Sequence, residues 1–200
     1  MKFDEIFITE PKPYKGRSSR DKFLSRVFGI FSEEIIRIWC RNERSPFIDL
    51  GRPVLHDLDG KRYTLDFLLQ DREGRCYVTE MKCEIEYQKY KYLTLIEPEQ
   101  LKHHGKRAFQ LLLEIAKRPS KYTISRESES VVIAGASLIW GATTEAGVSN
   151  VRQCFGFAHI LSMESIINEL IAWQDAEYLS LISHYRNWSG ELFDGLADSA

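Results

Sequence analysis

Fourteen residues separate Asp66 from Glu80, and the two segments that carry them constrain the fold more than any other part of the chain. Tyr63-Thr64-Leu65-Asp66-Phe67-Leu68-Leu69 runs into a polar turn from Asp71 to Gly74. Cys76-Tyr77-Val78-Thr79-Glu80-Met81-Lys82-Cys83 follows. Two β-rich apolar runs around a Gly-containing turn predict a hairpin. Side chains alternate along a strand, so Glu80 and Lys82 project from one face. Asp66, on the partner strand, can meet them across the pair. The flanks Leu65, Phe67, Leu68, Leu69, Val78 and Met81 predict strands with little solvent exposure, where an uncompensated charge is expensive. Salt-bridged residues on an exposed sheet face are the competing reading, and the apolar flanks weigh against it.

At 200 residues and 44% hydrophobic content the chain suits one globular domain. The expected layout is an N-terminal arm over 1–19, a single domain over 20–188 and a C-terminal tail over 189–200. No apolar run approaches the ~18 residues of a membrane span. Met1-Lys2-Phe3-Asp4-Glu5 lacks the apolar core of a signal peptide, so a cytoplasmic protein with no membrane contact is expected. Cys40, Cys76, Cys83 and Cys154 are scattered, without a C-x-x-C pair, which favours reduced thiols over zinc or a disulfide framework. The net charge is −2, but its distribution is uneven. Tyr87 to Arg126 holds nine Lys and Arg against three Glu; Glu127 to the end holds two Arg against ten acids. A polyanion would be drawn to the first stretch and repelled by the second. A solvated helix face followed by an acidic tail explains the same charges.

Phe23, Val27, Phe28, Phe31, Ile35, Ile38 and Trp39 keep the rhythm of an amphipathic helix over 20–41. Phe47 to His56 predicts a strand interrupted by Gly51-Arg52-Pro53, and Asp57 to Gly60 a turn into the Asp66 strand. The second hairpin strand is expected to continue through Cys83-Glu84-Ile85. Leu101, His104, Ala108, Leu111, Leu112 and Ile115 form one stripe, predicting a long helix from Glu99 to Lys117 closed by Pro119. Val131 to Trp140 reads as a strand buried on both faces. Phe155 to Leu161 reads as a further strand, and Ser162 or Ser165 as the cap of a helix reaching about Tyr185. The order α-β-β-β-α-β-β-α predicts an α/β domain with a mixed central β-sheet and helices on both faces.

Asp66 and Glu80 are hard oxygen donors of the kind that bind magnesium. The Met81 carbonyl, at the metal end of the strand, is a further ligand candidate. Lys82 is placed to assist an attacking water and to offset negative charge at phosphorus. A helix acid is expected from Glu33 or Glu34. The apolar stripe centres away from Glu33, and Glu34 falls beside Val27, Phe31 and Ile38, so Glu34 is assigned to the site and Glu33 to solvent.

Glu34, Gly51-Arg52-Pro53, Asp66 and Glu80-Met81-Lys82 together resemble the PD-(D/E)xK nuclease superfamily. That group includes restriction endonucleases, Holliday-junction resolvases, RecB-type nucleases and transposon-encoded end-cutting subunits. The resemblance runs from about Phe23 to Leu113, with Leu65 standing where the motif has proline. It implies a restriction-endonuclease-like core and Mg2+-dependent hydrolysis of DNA, with Mn2+ able to substitute. Asp66 and Glu80 would bind the metal, Lys82 would assist the water and Glu34 would complete the site. The alternative is a catalytically inactive nucleic-acid- or partner-binding module on the same fold.

Auxiliary candidates follow the motif. Gln100 and His104 stand one helical turn apart, with Gln100 preferred for the site and His104 read as a packed core histidine. Lys102 and Lys106 form an i, i+4 pair able to meet phosphates. Lys89 and Lys91 interleave with Tyr87, Tyr90 and Tyr92, a composition that stacks on bases and contacts backbone; an edge strand guarded by lysines explains it nearly as well. DNA is the expected partner. One active site per chain suggests a homodimer, or a partner protein that supplies target recognition.

Overall fold

The structure, a computed structural model, describes residues 2–7, 19–83 and 93–197. Seven helices are described: α1 (Phe3–Phe7), α2 (Ser19–Arg41), α3 (Glu99–Lys102), α4 (Arg107–Lys117), α5 (Glu145–Phe155), α6 (Met163–Ala172) and α7 (Ala176–Ala197). The strands are β1 (Phe47–Asp49), β2 (Val54–His56), β3 (Arg62–Thr64), β4 (Phe67–Asp71), β5 (Cys76–Lys82) and β6 (Thr94–Leu95). They continue with β7 (Thr123–Arg126), β8 (Glu129–Val131), β9 (Gly135–Trp140), β10 (Ala142–Thr143) and β11 (His159–Ser162). Among the described residues, no helix is long and apolar enough to cross a membrane.

The central sheet has the order β1-β4-β5-β9-β11. β1, β4 and β5 form an antiparallel meander, and β9 and β11 run parallel to β5. The expected mixed sheet with helices on both faces is therefore present. Alternation sorts its side chains. Phe67, Leu69, Tyr77 and Ile139 pack with Ile35, Ile36, Ile38 and Trp39 of α2 and with Ile166, Ile167 and Leu170 of α6. Leu68, Val78, Ala136 and Leu138 pack on the other side with Phe109, Leu112 and Ile115 of α4 and with Val151 and Phe155 of α5. Each face thus buries an apolar layer, which is the main stabilising contribution to such a sandwich.

Several boundaries differ from the sequence reading. The expected continuous strand from Tyr63 to Leu69 is cut at Leu65 and Asp66. β3 pairs with β2, whereas β4 joins the central sheet. Backbone bonds from Leu65 to Pro53 and from Leu68 to Gly51 hold the crossing point, so Asp66 occupies a bend rather than a strand. The interrupted strand from Phe47 to His56 likewise divides between the two sheets. A four-stranded antiparallel sheet, β3-β2-β7-β8, was not foreseen. The residues assigned to one long helix form α3 and α4, separated by His103 to Lys106, where Gly105 interrupts the pattern. The single strand read from Val131 to Trp140 becomes β8 and β9, and α5 fills a stretch that carried no predicted element.

At the chain ends, Phe3 of α1 packs edge-on against Phe7 and Phe28, and Phe7 lies tilted against Phe28, where an arm was expected. The last helical pattern is two helices, and α7 occupies most of the expected tail. Ser162 caps α6 by accepting from the Ser165 amide at 3.3 Å, as one of the two readings had it. The continuation through Glu84-Ile85 lies outside the described residues.

Candidate metal-hydrolase site at the open end of the hairpin

The β4–β5 hairpin positions the site. Its turn is closed by bonds between Asp71 and Arg75 and between Gly74 and Asp71, with Gly74 at φ 81°, a conformation that favours glycine. The register sets Phe67 against Thr79, so Asp66, one residue earlier, stands opposite Glu80. The Asp66 carboxylate accepts from the Met81 amide at 2.8 Å, which fixes it across the strand end. Glu80 and Lys82 share the face of Val78, the side covered by α4. Their side chains meet at 2.8 Å, and the Lys82 ammonium also donates to the Met81 carbonyl at 3.2 Å. Only 12% of Glu80, 13% of Lys82 and 17% of Asp66 is exposed.

Burial is the largest influence on Glu80 and pushes its carboxyl above the ordinary value. The positive charge of Lys82 acts against that push, while the neighbouring Asp66 carboxylate adds to it; hydrogen bonds from Lys82 and from the Asp66 backbone lower it again. The net effect is upward, with burial outweighing the single ammonium. His104 lies beneath this group, 3% exposed, with its ring 5.0 Å from Phe109 and 5.7 Å from Trp140. Burial, and then the Lys82 charge, push its imidazole down to about 4, so it is neutral at physiological pH. Lys82 itself sits 5.5 Å from the Phe109 ring. The rings of Phe109, Trp140 and His104 beside Lys82 carry no charge, which strengthens the field that Lys82 and the two carboxylates create.

Arg52 is the residue that sequence reasoning noticed without giving it a role. Its guanidinium reaches the Asp66 carboxylate at 3.6 Å and the Leu65 carbonyl at 3.5 Å. The available signal was the Gly51-Arg52-Pro53 interruption, because Gly51 and Pro53 supply the carbonyls that hold the bend at Asp66.

The other expected residues stand elsewhere. Glu34 pairs with Arg41 at 3.0 Å and with Arg37 at 3.6 Å, and Arg41 continues to Glu177 of α7 at 2.6 Å. These links run along α2 and to α7, and α2 covers the face of the sheet opposite Glu80 and Lys82. The expected burial contrast with Glu33 is absent: 36% of the Glu33 side chain and 39% of the Glu34 side chain is exposed. Glu33 bonds Arg37 at 2.8 Å, and Arg37 lies over Phe67, the residue after Asp66, at 5.7 Å. Glu34 meets the same Arg37 at 3.6 Å, so the two acids have the same chain of contacts to the hairpin.

Gln100 is buried and folded back on its own loop. It donates to the Thr94 carbonyl at 2.9 Å and accepts from the amides of Ile96 and Glu97 at 2.7 and 3.0 Å. Lys102 ends α3 and pairs with Glu99 at 3.2 Å, and Lys106 precedes α4. The expected i, i+4 spacing on one helix is thus broken at Gly105. Lys89 and Lys91 lie outside the described residues.

Among the described residues, no three His, Cys, Asp or Glu side chains cluster closely enough to hold a metal ion by themselves. The oxygens at the hairpin's open end are those of the Asp66 and Glu80 carboxylates and the Met81 carbonyl, which meet the Met81 amide, Arg52 and Lys82. No family model matches the chain, and no curated protein or solved structure is matched by it.

Proposed function

We propose that the chain is a divalent-metal-dependent nuclease that hydrolyses phosphodiester bonds in DNA on a restriction-endonuclease-like core. The observation that carries this reading is the junction of Asp66, Glu80 and Lys82, three mostly buried charges at the open end of one hairpin. The order of the central layer supports it: with the β3-β2-β7-β8 sheet, the β6–β10 pair and α1, α3, α5 and α7 set aside, it runs α2, β1, β4, β5, α4, β9, β11, α6. That order corresponds to the fold implied by the resemblance to PD-(D/E)xK nucleases.

Magnesium fits the donors present. It prefers oxygen ligands, commonly takes one or two carboxylates and keeps several waters. Burial raises Glu80 and the Asp66 carboxylate adds to it, and a nearby cation acts against both. Asp66 and Glu80, with the Met81 carbonyl, would hold the ion. When bound, it supplies Lewis acidity toward the phosphate and lowers the pKa of a water.

The chain's own groups do the rest. The Met81 amide fixes the Asp66 carboxylate. Lys82, anchored by Glu80 and the Met81 carbonyl, keeps its ammonium at the strand end, where it orients a water and offsets charge building on phosphate oxygens. The rings of Phe109, Trp140 and neutral His104 limit solvent at that end of the strand.

The test uses plasmid, linear, single-stranded and branched DNA with Mg2+ or Mn2+. Asp66→Ala and Lys82→Ala are each expected to lower cleavage by about a hundredfold or more. If both variants cut like the wild type, the assignment is wrong. Salt-dependent DNA binding with no cleavage under any metal would favour the inactive binding module.

A further inference from the structure

The β3-β2-β7-β8 sheet has one apolar and one polar face. Leu55, Tyr63, Ile124 and Val131 turn inward and pack with the α4 side of the core. On the outward face the register aligns Thr64, Val54, Ser125 and Ser130 in one row, with Arg62, His56 and Thr123 in the next. These side chains, with Glu127 and Ser128, line an open groove of about 530 Å³. His56 and Ser125 share a 2.7 Å hydrogen bond that braces the groove floor.

The Val54–Thr64 row of the groove is next along the chain to the hairpin site. Pro53 and Leu55 are buried, so Arg52, Val54 and His56 alternate onto the outward side. Arg52 is the one that reaches Asp66, and Thr64 stands two residues before Asp66 on the adjoining strand.

The lining is made of hydroxyls, an imidazole, one guanidinium and one carboxylate, with Val54 its one aliphatic side chain. The donors among these bond phosphate oxygens and sugars; the lining contains no Phe, Tyr or Trp ring on which a base could stack. Arg62 is exposed and makes no ion pair among the described residues. The one carboxylate in the lining, Glu127, is paired with Arg126 at 3.0 Å. Glu127 and Ser128 form a two-residue hairpin turn with φ of 49° and 73°, where Asn-Gly would be at ease. Holding two non-glycine residues there keeps their side chains in the groove's lining, a strain of the sort found at binding sites.

We propose that this outward face is the track along which the backbone of a DNA strand lies, with Arg52 leading it to Asp66. The proposal rests on the nuclease reading for what happens at the end of the track. Fluorescence anisotropy of fluorescein-labelled single-stranded and duplex DNA, with the full chain and no divalent metal, measures the track separately from cleavage. Arg62→Glu is expected to weaken binding at least about tenfold and to lower the salt slope by about one. Arg62→Ala should give a smaller loss in the same direction. Arg186→Glu, the same charge change on α7, should leave binding near wild type.

If the wild type does not bind DNA, or if both Arg62 variants bind no worse than Arg186→Glu, the track is wrong whatever the enzyme does. Failure of the nuclease reading looks different: the wild type does not cut under any metal, while Arg62→Glu still weakens binding. If both hold, Asp66→Ala loses cleavage and keeps the wild-type anisotropy curve.

Discussion

The two ends of the β4–β5 hairpin carry the same kinds of side chain in opposite electrostatic states. At the turn, Asp71 is 11% exposed; at the open end, Glu80 is 12% exposed. Burial pushes both carboxyls upward. At Asp71 that push is outweighed by bonds from the Arg75 guanidinium (2.7 Å), the Arg75 amide (2.9 Å), the Tyr77 hydroxyl (3.1 Å) and the Glu73 amide (3.0 Å), which hold it at about 2. At Glu80 the nearest charges are one ammonium and one further carboxylate, and the carboxyl stays raised. Similar side-chain exposure with unequal donor supply separates a carboxylate that staples a turn from one that stays raised.

That contrast can be tested from its largest consequence to its smallest. Saturating Mg2+ should raise the thermal midpoint of the wild type; at a hundred times the dissociation constant the gain is about 2.7 kcal/mol, or roughly 5–10 °C for a chain of this size. Glu80→Gln should abolish the shift, and Asp71→Asn should keep it. A calorimetric scan in which Mg2+ stabilises Glu80→Gln as well as the wild type would erase the distinction between the ends.

The pH dependence of the turn comes next. Asp71 has a folded value below its unfolded one, so its stabilising contribution is present above about pH 4 and is lost as pH falls toward about 2. Asp71→Asn should therefore melt below the wild type at pH 7, with the gap closing across that acid window. A gap that stays constant from pH 7 to pH 2 would mean the ionised carboxylate is not what staples the turn. Tyr77→Phe removes one of the four donors and should cost about 1 kcal/mol in urea unfolding at neutral pH. No loss would mean that the remaining three suffice.

The hairpin was legible because both its runs and its turn carry local signals: β-rich apolar residues and a Gly at the position that needs positive φ. The bend at Asp66 was not. Tyr63-Thr64-Leu65-Asp66 continues the strand pattern without a break, and the chain changes sheets only because Gly51 and Pro53, more than ten residues away, accept the Leu68 and Leu65 amides. Such a non-local pairing has no local signature. The pair Lys102 and Lys106 failed for a different reason: the apolar stripe was followed through Gly105, a helix-weakening residue at which the chain breaks.

α5 was overlooked although its ends are marked. Thr144 caps it by accepting from the Gly147 amide, and Gly156 at φ 82° terminates it. Gly147 reads as a helix breaker in sequence; in the fold it lets the helix approach the Leu95 carbonyl, which a Cβ would strike. The helix acid was a question of direction. A helical wheel places Glu34 near the stripe, but Arg37 and Arg41, one and two turns on, draw both acids into ion pairs that the wheel does not encode.

The most direct test of the account sets the two ends of the hairpin side by side. Supercoiled plasmid would be incubated with Mg2+ and wild type, Asp66→Asn or Asp71→Asn, at a temperature where all three are folded. The expected result is wild-type nicking by Asp71→Asn and a loss of about a hundredfold or more by Asp66→Asn. Equal nicking by the two variants would contradict the assignment of the open end as the catalytic one.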